Sequence, residues 1–251
     1  MTAIALATQG LNKNFGALKV TQDVRFALPV GARHALIGPN GAGKTTFINL
    51  LTGALPPDSG SIELDGKPIT DLPPHERVKR GLARTYQINS LFPDLTPLEA
   101  VTLVACEHRG VSRQWYLPLA KRTALIDEAY ELLVQLGIGE QAHLPTRHLA
   151  YGYQRVLEIA LALATRPHVL LLDEPAAGVP PHESGILYEV ISSLPEHIAV
   201  LFIEHDMDLV FRFASRITVL VSGRVLREGT SAEIADDPEV RAVYLGTAAH
   251  G

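Results

Sequence analysis

The chain has 251 residues, 47% of them hydrophobic and 20% charged, with a formal net charge of −5. It can therefore bury a proper core as one large domain or one domain with an insertion, while the acidic balance excludes a bulk nucleic-acid surface and leaves room only for a local basic patch. The lone cysteine, Cys106, excludes an internal disulfide and reads as a small buried hydrophobe.

The first ten residues, "MTAIALATQG", carry no basic n-region, so no signal peptide is expected. No run approaches the roughly 18 apolar residues of a membrane span, so a role at a bilayer would need another chain to hold this one there. Short strand-like segments follow as far as Gly31, and "RHALIG" reads as an apolar strand from Arg33 ending at Gly38. A Gly-rich loop leads into "KTTFINLLTG", a helix stopped by Gly53. "GSIELDGKPI" reads as a hairpin turning at Asp65-Gly66. From about Thr96 to Leu163 the period becomes helical, with Leu125, Ala129, Leu132, Leu133 and Leu136 on one face and Val156, Ile159, Ala160 and Leu163 on another. "HVLLLDE" and "IAVLFIEH" are continuous apolar runs of the kind buried parallel strands show, and "ITVLVSGRVLREG" is a second hairpin turning at Ser222-Gly223. Strands alternating with helices predict a parallel sheet covered on both faces, with the helical middle as an inserted subdomain.

Two motifs carry chemistry. "GPNGAGKTT", Gly38 to Thr46, fits G-x-x-x-x-G-K-[ST] between an apolar strand and a helix. Glycines there let successive N–H groups turn inward onto phosphate oxygens, and the helix N-terminus adds its positive dipole end. Lys44 would reach the β- and γ-phosphates, and Thr45 would place a hydroxyl on Mg²⁺. "VLLLDEP" then sets Asp173 and Glu174 at the end of a buried strand. Two carboxylates beside apolar surroundings need partners, since unpaired buried charge is expensive. Asp173 fits an acid that organises Mg²⁺, and Glu174 a general base that activates water.

Together with "RTYQ" (Arg84–Gln87), "LAYGYQR" (Leu149–Arg155) and "IEHD" (Ile203–Asp206), these motifs resemble the ATP-binding cassette proteins in order and spacing along nearly the whole chain. The stretches "LFPDLTPLEAV", "LEIALALAT", "LLDEPAAGV" and "DPEVRAVYLG" are similar to the ATPase subunits of branched-chain amino acid importers and their relatives for urea, amides and aromatic acids. The resemblance implies an α/β fold: a P-loop NTPase (RecA-like) core with an N-terminal antiparallel β subdomain and an inserted α-helical subdomain. Residues 1–87 and 164–251 would form the core and β subdomain of a single nucleotide-binding domain, and 88–163 the helical subdomain with the signature motif. It also implies ATP and Mg²⁺ as ligands, and hydrolysis coupled to transport. The implied partners are a second ABC ATPase subunit, as a heterodimer or a homodimer, two transmembrane permease subunits and, indirectly, a periplasmic binding protein, with no nucleic acid. The implied location is peripheral, on the cytoplasmic face of the inner membrane.

Residue by residue, the resemblance places Gly38, Asn40, Gly41, Ala42, Gly43, Lys44, Thr45 and Thr46 on the nucleotide, Thr46 on its nearer phosphates, and Phe15 stacked on adenine. Glu174, His205, Gln87 and Lys44 would be catalytic, His205 meeting the γ-phosphate. Thr45, Gln87 and, through water, Asp173 would hold Mg²⁺. Ala150, Tyr151 and Gly152 would touch an ATP held by the partner cassette. The signature departs from Leu-Ser-Gly-Gly-Gln at Ala150, which lacks the serine hydroxyl, and at Tyr153, and Pro180 stands where the D-loop usually has Asp or Asn. Because the resemblance implies that each ATP lies between one chain's phosphate loop and the other's signature, these departures would weaken the partner's site, and an asymmetric heterodimer is the expectation. His143 and His148 lack the spacing of a helical zinc pair. Trp115 and Tyr116 either close a loop or cover a groove for the membrane subunit. An exporter ATPase and a low-turnover regulatory subunit stand as alternatives. A soluble repair or translation protein would need a coiled-coil insertion or a second cassette, which this sequence lacks.

Overall fold

The computed structural model of the chain describes residues 3–85, 91–111, 122–180 and 182–247. In chain order the elements are β1 (Ile4–Phe15), β2 (Leu18–Pro29), β3 (Arg33–Ile37), α1 (Lys44–Thr52), β4 (Ser59–Leu64), β5 (Lys67–Pro68), α2 (Pro74–Lys79) and β6 (Leu82–Arg84). Then come α3 (Pro97–His108), α4 (Thr123–Gln135), α5 (Tyr151–Leu163), β7 (Val169–Asp173), α6 (Ser184–Ser193), β8 (Ala199–Ile203) and α7 (Met207–Phe213). β9 (Arg216–Val221), β10 (Arg224–Gly229), α8 (Ser231–Asp236) and α9 (Pro238–Thr247) complete the chain. By their internal contacts the residues form two compact units, one of Met1–Leu82, His168–Glu174 and Pro195–Gly251, the other of Ala83–Pro167 and Pro175–Leu194.

The first unit holds two sheets. One is antiparallel, in the order β2-β1-β4-β5. The other runs β10-β9-β3-β8-β7. Its centre is parallel: β3 pairs with both β8 and β9, and β7 with β8, Asp173 opposite Ile203. Every residue of β8, and all of β7 up to Asp173, is buried or nearly so, which is why these strands read as unbroken apolar runs rather than alternating ones. Both hairpin turns form where the sequence places them, Asp65 and Gly66 at φ 49° and 71°, Ser222 and Gly223 at φ 47° and 79°. One hydrophobic cluster unites Leu6, Leu28 and Ile62 of the antiparallel sheet with Phe47 and Ile48 of α1 and Val169, Leu171 and Leu201 of the parallel strands. Each such side chain contributes about 1.5–3 kcal/mol on burial.

The second unit is helical. α3 opens with a capping box, Glu99 N donating to Thr96 Oγ1 at 3.2 Å and Thr96 N to Glu99 Oε2 at 2.9 Å. It packs on α4, whose Leu125, Ala129 and Leu133 are buried; of the predicted face only Leu132 is partly covered. α5 buries the whole predicted face, and Leu157 with it, and lies against α6. That packing groups Pro175–Leu194 with the helices, where the sequence reading leaves it with the core. Cys106 is buried.

Candidate functional site

In the first unit the chemistry gathers at the C-terminal ends of β3, β7 and β8, where parallel α/β sheets present their loops. The loop from Gly38 to Gly43 leaves β3 and enters α1 at Lys44. Gly43 is its N-cap, with φ 100° and no side-chain cap, so the first amides of α1 are left to whatever anion the loop takes up. A Cβ on Gly43 would stand 2.5 Å from the Val20 carbonyl oxygen, and one on Gly38 would collide with that of Leu220. These glycines are thus required by close backbone approach as well as by conformation. Lys44 Nζ donates to the Gly38 and Pro39 carbonyls at 2.6 and 3.1 Å, holding its charge along the loop. Burial pushes the ammonium below its ordinary pKa, and the carboxylates of Glu174 and Asp173 oppose that shift, which places both acids within electrostatic reach of Lys44. Ala42 and Gly223 lock the loop to the β9–β10 turn, the Gly223 N–H donating to the Ala42 carbonyl at 2.9 Å.

Asp173 ends β7 and Glu174 follows it with φ 48°, a left-handed conformation that costs a residue with a Cβ roughly 1–3 kcal/mol. The neighbouring strand holds it there, since Glu174 N donates to the Ile203 carbonyl at 3.0 Å. The sharp turn re-aims the side chain at the strand end. His205 stands just beyond β8 with a side chain 70% exposed, and the buried Glu204 accepts from its backbone N–H at 3.3 Å. Phe15, at the end of β1, is 50% exposed with the Lys13 ammonium 5.9 Å from its ring, so it is a free aromatic face and not a core residue. Gln87, Trp115 and Tyr116 lie outside the described residues.

In the second unit the signature stretch forms the start of α5. Ala150 is the N-cap and offers no side-chain acceptor. The cap comes from elsewhere: Glu183 Oε2 accepts from Gly152 N at 2.6 Å, and a Cβ at Gly152 would meet Glu183 at 3.0 Å. Tyr151 OH and Arg155 Nη2 both donate to the Ala177 carbonyl, at 3.3 and 3.0 Å, with the guanidinium 5.5 Å from the Tyr151 ring. Pro180 keeps its carbonyl in use, accepting from the N–H groups of Glu183 and Ser184. Neither the Glu183 cap nor the Arg155 contact has a motif in the sequence; both join segments about 20–30 residues apart that meet only when α6 packs on α5.

Arg155 and Glu158 form a buried pair at 3.0 Å. Burial raises the Glu158 carboxyl from 4.5 to about 7, against the pull of Arg155. Between those values the folded chain keeps a proton that the unfolded chain releases, so the Glu158 contribution to stability falls as pH rises through that window. From about pH 5 to 8 the wild-type chain is expected to lose on the order of 1–3 kcal/mol more stability than Glu158→Gln, measured by urea unfolding at each pH. Parallel pH dependences in the two proteins would contradict this.

A model of the ABC transporter family matches residues 21–177, and one for the branched-chain amino acid ATP-binding cassette transporter matches residues 224–250. The chain is 39% identical to the high-affinity branched-chain amino acid transport ATP-binding protein BraF of Pseudomonas aeruginosa, over 99% of this chain and 100% of that one. It is 38% identical to the corresponding protein LivG of Escherichia coli, with the same coverage. Among solved structures it is similar to the ADP conformation of an ATP-binding cassette of an ABC transporter, with TM-score 0.84 and 28% identity, over 98% of this chain and 100% of that one. A nucleotide-free cassette matches with TM-score 0.83, also at 28% identity, over 96% of this chain and 98% of that one.

Proposed function

Because this chain belongs to the ABC transporter family of ATP-binding cassettes, we propose that it is the ATP-hydrolysing subunit of a branched-chain amino acid importer. One observation carries the reading: a complete phosphate loop and the acidic pair Asp173–Glu174 lie at the same edge of one parallel sheet, at the C-terminal ends of β3 and β7 with β8 between them, in a chain that matches such subunits end to end. The relatives' names, branched-chain amino acid transport ATP-binding proteins, support this substrate class.

ATP would lie with its phosphates on the amides of Asn40 to Thr46 and its adenine on Phe15. Lys44 would sit on the β- and γ-oxygens, neutralising charge as the terminal bond breaks. Glu174 would accept the proton of the attacking water, and His205 would stabilise charge on the γ-phosphate. The hard oxygens of Thr45 and Asp173 at the end of β7 fit Mg²⁺, with Gln87 as a third ligand from the resemblance; these residues would hold the ion, which would supply positive charge against the phosphates. Ala150, Tyr151 and Gly152 would meet the ATP of a second cassette. Such a subunit works on the cytoplasmic face of the inner membrane, beside two permease subunits and, through them, a periplasmic binding protein. Among the described residues no helix is long and apolar enough to cross a membrane, so attachment would come from those permeases.

The test is ATP-dependent leucine uptake into vesicles carrying the permease pair, the partner cassette and the binding protein, with and without this chain. Uptake that requires both the chain and ATP supports the reading. A chain that hydrolyses ATP yet restores no uptake of any branched-chain amino acid would refute the substrate assignment.

A further inference from the structure

Arg77 is a charged side chain only 2% exposed, on the short helix α2. Its guanidinium reaches four carbonyl oxygens: Nη1 donates to Leu50 and Leu51 at 2.7 and 2.6 Å, Nε to Leu72 at 2.9 Å and Nη2 to Thr70 at 2.6 Å. Burying a guanidinium is costly unless its donors are matched, and a Leu or Met would fill the same space without that demand. The matched acceptors show what the charge does. Leu50 and Leu51 lie in the last turn of α1, whose first residue is Lys44, so the cation sits at the negative end of the phosphate-loop helix. Thr70 is itself tied to β4, its Oγ1 accepting from Ile62 N at 2.8 Å, and β4 pairs with β1, the strand that ends in Phe15. Gly53 clears the way: a Cβ there would stand 2.8 Å from Arg77 Nε, in a residue already at φ 77°. A nine-residue helix transmits a shift at one end to the other, about 13 Å away.

We propose that Arg77 is a positioning residue for the nucleotide site, fixing the far end of α1 against the β4–β1 pair and so setting Lys44 and the loop amides at a defined distance from Phe15. The proposal rests on the nucleotide reading of Gly38–Thr46. Adenosine diphosphate affinity of the purified full chain tests it, in Arg77→Met, Arg77→Lys and Gly53→Ala. Arg77→Met is expected to weaken binding on the order of fivefold or more, and to raise KM for ATP while turnover at saturation stays within about twofold. Arg77→Lys, which keeps a cation at the helix end but loses the fork, should fall between Arg77→Met and wild type. Gly53→Ala keeps the guanidinium but displaces it, and should weaken binding in the same direction. If the wild-type chain does not bind the probe, the nucleotide reading itself fails. If it binds and folded Arg77→Met and Gly53→Ala bind as tightly, the proposal is overturned whatever their melting temperatures. Should Arg77→Met not fold, wild-type affinity in both Arg77→Lys and Gly53→Ala overturns it equally.

Discussion

Glu174→Gln is expected to lower ATP turnover by about 10²–10⁴-fold, the range for removal of a positioned general base, while nucleotide affinity stays near that of the wild type. The amide is isosteric with the carboxylate and leaves the strained turn and the Glu174 N–H bond to Ile203 in place, so a loss of rate reports chemistry and not folding. On the proposed role, what would disappear is the acceptor for the proton of the attacking water. Single-turnover hydrolysis beside equilibrium ATP binding separates the two effects, and turnover indistinguishable from wild type would remove Glu174 from the role of base. The same substitution tests the proposed asymmetric pairing. With Ala150 in place of the signature serine, the weakened composite site would be the one holding the partner's ATP. Glu174→Gln should therefore cut transport-coupled hydrolysis more than the equivalent change in the partner cassette; equal losses would rule the asymmetry out.

The second large effect is at Lys44. Replacing it by Ala should weaken ATP binding about 10- to 150-fold, the equivalent of about 1.5–3 kcal/mol for one hydrogen bond to a charged group. The loop itself should survive, because its shape is held by the Gly38 and Gly43 backbone approaches and by the bond from Gly223 N to the Ala42 carbonyl, none of which uses the lysine. Calorimetric titration with ATP measures the change, and an unchanged melting curve shows that the protein is intact. Wild-type affinity in a folded Lys44→Ala chain would mean that the phosphates lie elsewhere. The two variants are expected to differ in kind: Lys44→Ala would act on binding and the charge of the phosphates, Glu174→Gln on the proton alone.

Lys44 and Glu174 are both legible in the sequence. Lys44 sits in a loop whose glycines must lie at fixed spacing, because the proposed phosphate cradle is built largely from backbone amides, and Asp173–Glu174 follow an apolar run that reads as a buried strand. Phe15 is less legible. An aromatic in a strand usually faces the core, and only its 50% exposure distinguishes a free ring from a packed one. Arg77 cannot be read at all. In "PHERVKR" it is one basic residue among several, and nothing local tells the buried guanidinium from its exposed neighbours. Glu183 is hidden for the same reason, being a surface-type residue some 30 positions from the amide it caps.

By itself, then, the sequence determined the central apolar strands, the helix after the phosphate loop, both hairpin turns, the phosphate loop and the acidic pair. These depend on contacts within a few residues: periodicity, turn conformation and the backbone geometry of a glycine loop. The tertiary structure alone decided which charges are buried and what satisfies them: Arg77 on the carbonyls of α1, Arg155 on Ala177, Glu158 raised to about 7 beside it, and Glu183 in place of a missing cap at Ala150. Those outcomes follow from desolvation, which a residue acquires from neighbours distant in the chain. An identical side chain in water would carry none of the same energetic demand for a partner.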